Sequence, residues 1–591
     1  MTIGRRSPRR ALAAVASFLL LAAACTSGDD GGETREPTGG AEAPAGPVGG
    51  SAADWRVSVD GARTETELAG DGGTIRPNPG EVFLVVDLSA SGPDGSSLTT
   101  RDVAVVPAGG EPVAARGGGD GEEFCVGCPF RQPVGLRRVS ASFVFVLPEV
   151  DLSVDLSLEV GDLEPTPLEV RRGGSEAEVH TPDLALLATS APTRQTISSD
   201  LAFWGDLAYA GSYDGFRIID ISDPRAPEVL AEVRCRTRQG DISVWDGLVF
   251  LSTDTPTSDA GCAEGSHDTT AGARGAFEGI RVFDARDTAN VRLVASVRTD
   301  CGSHTHSLYP DPGAGRVLLY VSSYPAVETS LGPNCRPPFG RFSVVEVPLS
   351  RPDLASVAAE VPLPGTPLYE WGNVPGFTPG RGCHDIQVFV EMELAAAACM
   401  GEGQLWDLSD PVHPRITTHI DNPAIAFWHS AAFTWDGRYV VFGDERFSDQ
   451  DCESSTAGAV WIYDLDDPRD PITSFQVPRP QPTDFERGLY CTAHNFNFVP
   501  VPDRYLMVSA WYQAGTTVID MTDVTEPREV AFYDAQVPTG SDAWSAYWYD
   551  GLVVANDIGR GVDVFRLSIP GVQGARPQTH LNPQTQERLL R

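Results

Sequence analysis

An all-β fold, a seven-bladed β-propeller preceded by a small β-sandwich, is what this sequence predicts, on three observations. The first is a repeat. Gly215-Phe-Arg-Ile-Ile-Asp-Ile-Ser-Asp-Pro224 returns in weaker form at Gly279–Asp287, Gly403–Pro411, Ala459–Pro468, Thr517–Asp523 and Gly561–Arg566, with a degenerate copy at Phe342–Pro348. Each reads as a short apolar strand ending in a turn, where an Asp side chain can accept from backbone N–H groups ahead and Pro fixes φ. The second is a set of inner strands ahead of these copies, beginning at Asp200, Asp241, His304, His384, His429, His494 and Trp544. The third is the composition: 60 Gly and 47 Pro in 591 residues suit many turns. Self-similarity carried by strands without helices points to a propeller.

Composition also excludes functions. A formal charge of −37 argues against nucleic acid, whose phosphates need a positive face. The chain contains no lysine, which removes Schiff-base chemistry and a P-loop. No Gly-rich nucleotide loop, GxSxG or HExxH occurs.

The chain begins with a targeting segment, 1–24, in which Arg5, Arg6, Arg9 and Arg10 precede the apolar run Ala11–Ala24. Leu21-Ala-Ala-Ala-Cys25 resembles a bacterial lipoprotein signal, although Ala22 stands where Leu is usual. The resemblance implies that Cys25 carries a palmitate-bearing lipid and holds an exported protein on the outer face of the cell membrane. The alternative is an ordinary secretory signal with an incidental Cys. Residues 25–52 offer almost nothing to bury and read as a disordered tether.

Residues 53–162 carry period-2 runs at Glu81–Leu88, Val139–Val146 and Leu152–Val160, as an antiparallel sandwich would. The module resembles the immunoglobulin-like domains of bacterial surface lipoproteins and contains no cluster that carries chemistry. Residues 163–181 read as a Pro- and Glu-rich linker, 182–570 as the propeller and 571–591 as a C-terminal tail. The last blade lacks an outer strand, and Pro182–Ser190 is a strand without an owner. Pairing the two closes the ring.

Arg217-Ile-Ile-Asp-Ile-Ser-Asp-Pro224 and Gln404-Leu-Trp-Asp-Leu-Ser-Asp-Pro411 resemble the repeat unit of the LVIVD family. The likeness covers about Pro182 to Leu567 and implies a β-propeller at the cell surface, without implying one reaction.

Beyond Cys25 there are ten cysteines, an even number that favours disulfides in an exported chain. Cys125 and Cys128 suit a local staple. In a four-stranded blade, the chain leading into the inner strand and the loop between the second and third strands share a face. That topology pairs Cys235 with Cys262, Cys301 with Cys335 and Cys383 with Cys399, leaving Cys452 with Cys491 between adjacent blades.

Four of the ten histidines, His304, His384, His429 and His494, take the same place in four successive blades. They should converge near the channel axis, with His306 and Glu445 in reserve and Asp444 and Asp254 nearby. Converging imidazoles suit a transition metal such as Zn, Cu or Fe. The side facing Ser199, Asp241 and Trp544 would stay open, Trp428 and Trp544 would wall a pocket, and Asp385 and Asn495 would cap backbone. His180, His267, His413, His419 and His580 read as surface residues. Two functions follow. One is a lipid-anchored metalloprotein of the oxidoreductase or hydrolase type. The other is a non-catalytic scaffold propeller that binds a small molecule, protein or polymer.

Overall fold

In the computed structural model, the described residues are the strands between 56 and 171 and residues 179–590 apart from 195, 271–272, 324–334, 336, 371–378, 447–457, 480–491 and 536–541. Segment 1–24, the tether with Cys25, and the pairs Cys125–Cys128 and Cys452–Cys491 lie outside the described residues. The chain divides into two compact units, one ending at 177 and one starting at Glu178.

The first unit has two principal sheets. Arg56–Glu65, Glu81–Ser91 and Val139–Pro148 make the centre of one, and Val103–Pro107 pairs with Leu156–Val160 in the other. Both of these second-sheet strands alternate buried and half-buried residues. Their inner faces meet in one core: Leu84, Val86, Leu88 and Phe145 from the first sheet, Val103, Val105, Leu156 and Leu158 from the second. Part of the expected linker, 163–181, belongs to these sheets. Thr166–Leu168 pairs with Leu156–Leu158, and Val170–Arg171 with Ala62–Arg63. The reason is Leu168, an apolar residue in a polar stretch, which packs into the core at 8% exposure.

The second unit is all-β and propeller-like. Its inner strands are Ser198–Trp204, Ile242–Trp245, Thr305–Asp311, Ile386–Phe389, Trp428–Phe433, Ala493–Phe498 and Ala543–Tyr549. Each opens an antiparallel meander, referred to below by its first inner-strand residue. Each inner strand lies against the next, and Ala543–Tyr549 lies against Ser198–Trp204, so the ring is closed. The repeat motif builds the far end of each meander. Asp220, Asp407, Asp464 and Asp520 each accept from the backbone N–H two residues on, at 2.8–2.9 Å. At the motif's start, Gly215 and Gly279 adopt φ of 134° and 129°. A Cβ there would strike the carbonyls of Val233 and Val297 in the outer strands.

Leu184–Ser190 is the outer strand of the Ala543 meander, with Leu184 opposite Leu567. Among the described residues three cystines are formed: Cys235–Cys262, Cys301–Cys335 and Cys383–Cys399. Each ties the segment leading into an inner strand to the end or loop of the second strand in the same meander.

The segment expected as a tail, 571–591, is built into the ring. His580–Leu581 pairs with Phe203–Trp204, and Thr585–Gln586 runs parallel to Val388–Phe389. Asn582 grips Val244 at both backbone groups, 2.7 and 2.9 Å. Thr585 Oγ1 donates to Leu308 O at 2.6 Å and Gln586 Nε2 to Phe433 O at 3.0 Å. Five inner strands are thus held at the end away from their first residues. The void left beside Leu581 and Gln586 is about 10 Å³, near the lower limit for one water.

Candidate metal centre

The four histidines come together at the other end of the inner strands. His304 Nε2 and His384 Nε2 are 3.0 Å apart, and the rings of His384–His429 and His429–His494 have centroids 3.8 and 4.3 Å apart. Glu445, just after Tyr439–Asp444, places Oε2 3.3 Å from His429 Nε2 and Oε1 3.6 Å from His494 Nε2. In the group His384, His429 and Glu445, one ligand atom from each lies within 4.8 Å of the others, so the three could hold a metal ion.

Hydroxyls at the next position along the strands hold this layer in register. Thr305 Oγ1 donates to His384 O, Ser430 Oγ to His494 O at 2.7 Å and Ser545 Oγ to Ser199 O at 3.0 Å. The Cys301 and Cys383 cystines sit within three residues of His304 and His384.

The ring orientations are what metal ligation needs. His494 Nδ1 donates to Trp544 O at 2.5 Å, so the neutral ring keeps its Nε2 lone pair toward Glu445. His304 Nδ1 faces Asp254 Oδ2 at 3.4 Å, and His384 Nδ1 faces Asp385 Oδ1 at 3.3 Å. Outer carboxylates and carbonyls on Nδ1, with Nε2 turned inward, are the usual surroundings of metal-bound imidazoles. His429 is 0% exposed, and neither of its ring nitrogens makes a hydrogen bond.

Burial sets the charge states. His384, His429 and His494 are held well below the ordinary imidazole range by burial, reinforced for each by neighbouring histidines. Burial pushes Glu445 up to about 8 against a hydrogen bond from Tyr512, and pushes Asp385 up to about 8 with help from Asp241. The neutral imidazoles of His384 and His429 and the carboxyl of Glu445 form a donor set whose carboxyl a cation would convert to a carboxylate.

Several expected residues stand elsewhere. His306 is not beside the other histidines. Its Nε2 is 2.7 Å from Ser243 Oγ, and its Nδ1 is 2.8 Å from Ser252 Oγ and 3.0 Å from Asp241 Oδ2. Period-2 alternation fails between 304 and 306 because the strand starts at Thr305, and Asp241 also captures the His306 N–H. Asp444 caps the N–H groups of Ala426 and Phe427. The side expected to stay open is filled: Trp544 packs edge-on to His494 at 4.7 Å, with Tyr213 and Tyr512 behind it. Trp428 is core, against Phe442 and Tyr463. His580 is part-buried and bonded to Glu587, whereas His419 is exposed as expected and bonded to Glu402.

Sequence reasoning missed Gln239, whose Nε2 is 2.9 Å from His304 Nε2, and Tyr512, which donates to Glu445 Oε1 at 2.9 Å. Tyr512 had a positional signal, since it follows Leu506–Trp511 in the turn at the histidine end.

No family model matches the chain, and no characterised protein matches it in sequence. Among solved structures it aligns with Raptor of Chaetomium thermophilum over 67% of its own length, at 10% identity and a TM-score of 0.40. It spans 30% of that chain. Fold and site together define an all-β, propeller-like protein with a buried His/Glu group able to hold a metal ion.

Proposed function

We propose that the chain is an exported LVIVD-type protein, anchored by lipid on Cys25 behind an immunoglobulin-like module, whose seven-bladed propeller binds a transition metal. His304, His384, His429 and His494 supply nitrogen ligands and Glu445 a carboxylate, with Zn, Cu or Fe as the ion. A bound ion would supply Lewis acidity or electron transfer, the chemistry of a hydrolase or an oxidoreductase. His304, its side chain 16% exposed, is the edge from which a small molecule would approach.

The observation that carries the reading is orientation: Nδ1 of His304, His384 and His494 is turned to an oxygen outside the cluster and Nε2 inward. Three cystines support an oxidising compartment. Among the described residues, no helix is long and apolar enough to cross a membrane.

A second reading keeps the ion but removes the catalysis. His384, His429 and His494 are 4, 0 and 2% exposed, as suits a structural ion in a surface scaffold that presents its loops to a partner.

Elemental analysis of protein purified without a His-tag tests the first statement. About one equivalent of a transition metal is expected, lost in His384→Ala and His494→Ala while β-sheet circular dichroism is retained. Metal-free protein that takes up no added Zn(II) or Cu(II) would refute it. Ligand exchange at the loaded ion, followed with azide, separates an open centre from a structural one.

A further inference from the structure

Resting on the metal reading above, we infer that Tyr512 is a positioning residue that presents Glu445 to the ion through Oε2 alone. Tyr512 is fixed by its backbone at three points. Its N–H donates to Thr492 O at 3.2 Å, and its carbonyl accepts from Ala543 N at 3.2 Å and Gly515 N at 3.4 Å. The residue therefore bridges the start of one inner strand and the start of the next. Its ring lies against His494 at 4.8 Å and is 2% exposed.

Glu445 is placed between two kinds of neighbour. Its backbone N–H is tied to Phe427 O at 3.1 Å, which fixes where the side chain starts. Oε2 is the oxygen nearer His429, at 3.3 Å, whereas Oε1 accepts from Tyr512 Oη at 2.9 Å and stands 3.6 Å from His494 Nε2. The phenol can only donate to a carboxylate, so it occupies an Oε1 lone pair and turns Oε2 toward the His384–His429 side. Without it, the carboxylate can rotate about its last bond and compete with the ion for His494, or chelate through both oxygens. Partners of metal ligands typically contribute 10–100-fold in affinity.

The test uses the full chain and Cu(II) added alone, in competition with a chromophoric chelator, with electron paramagnetic resonance of the loaded protein. Tyr512→Phe should bind Cu(II) roughly 10–100-fold more weakly with a changed copper hyperfine coupling. In a Glu445→Gln background the same change should cost little more, since both act through one contact. Unchanged affinity and spectrum in Tyr512→Phe, or losses that multiply in the double variant, would overturn the inference and leave the metal reading standing. Wild-type protein that binds no Cu(II) would overturn both. If Tyr512→Phe fails to fold, 3-fluorotyrosine at 512 keeps the ring's shape and makes the phenol a stronger donor. A shifted hyperfine coupling supports the inference there, and an identical spectrum overturns it.

Discussion

Replacing His429 by Phe should stabilise the metal-free protein and abolish its stabilisation by metal, two effects of opposite sign from one substitution. His429 is fully buried and neutral, with neither ring nitrogen hydrogen-bonded. Each unsatisfied buried polar atom costs roughly 1–3 kcal/mol, and Phe removes both. The larger ring adds about 1 kcal/mol of overpacking at the low end of such changes, leaving a net gain of roughly 1–5 kcal/mol. Packing is conserved in kind, because the ring already lies against His384, His494 and Phe427. In wild type, an ion at one hundred times its dissociation constant contributes about 2.7 kcal/mol. Thermal unfolding by near-ultraviolet circular dichroism, with chelator and with Zn(II), reads both effects. The variant should melt a few degrees above wild type in chelator, and Zn(II) should raise only the wild type. A variant that melts below wild type in chelator, or that still gains with Zn(II), would refute the reasoning.

Three further outcomes are expected. Leu184→Ala, at a position 0% exposed opposite Leu567, should cost about 2–5 kcal/mol in chemical unfolding, and a loss below about 1 kcal/mol would detach that strand from the core. Glu278, pushed from the ordinary 4.5 up to about 8 by burial and then by Asp254 and Asp300 against Arg298, keeps a proton that the unfolded chain releases. Its contribution therefore turns unfavourable as pH rises from about 4.5 to about 8 and levels off above. Glu278→Gln should be neutral near pH 4.5 and raise Tm at pH 9, and equal Tm at both pH values would count against it. Asn582→Ala should speed hydrogen exchange at the Val244 amide without changing metal stoichiometry, whereas an unchanged rate would mean the side chain does not protect that amide.

The sequence made legible whatever rested on local chemistry. The Asp-x-Ser-Asp-Pro turns mark the meanders because an Asp accepting from its own chain two residues on needs no distant partner. The three cystines and the four histidines followed from counting strands, since position within a repeat becomes position in a ring. Leu184 was recoverable as a strand without a partner facing a sheet without an edge. The segment from His580 to Gln586 was not, because its polar side chains bond to backbone of distant strands and leave no apolar period. The connector containing Leu168 hid one buried residue among charged ones. His306 failed for a different reason: alternation was carried one residue past the end of the strand. Trp544 was expected to wall an open pocket, and only its neighbours in space, Tyr213 and Tyr512, reveal that the site is closed there.

The grip of residues 580–586 on five inner strands bears on the order in which the chain can assemble. Its contacts join residues 153 positions apart for Gln586 on Phe433 and 338 for Asn582 on Val244, and Leu184 reaches Leu567 across nearly the whole unit. Such long-range pairings pay loop closure before any contact rewards it, so they form late. The ring is consequently latched twice, once by a strand made before the first meander and once by a segment made after the last. Until residue 586 has emerged, five of the inner strands lack their cross-piece. A polypeptide threaded through a membrane unfolded would thus stay uncommitted through almost all of its passage, then close in one late step. Attaching a bulky partner directly after Gln586 would act on that step rather than on any surface loop.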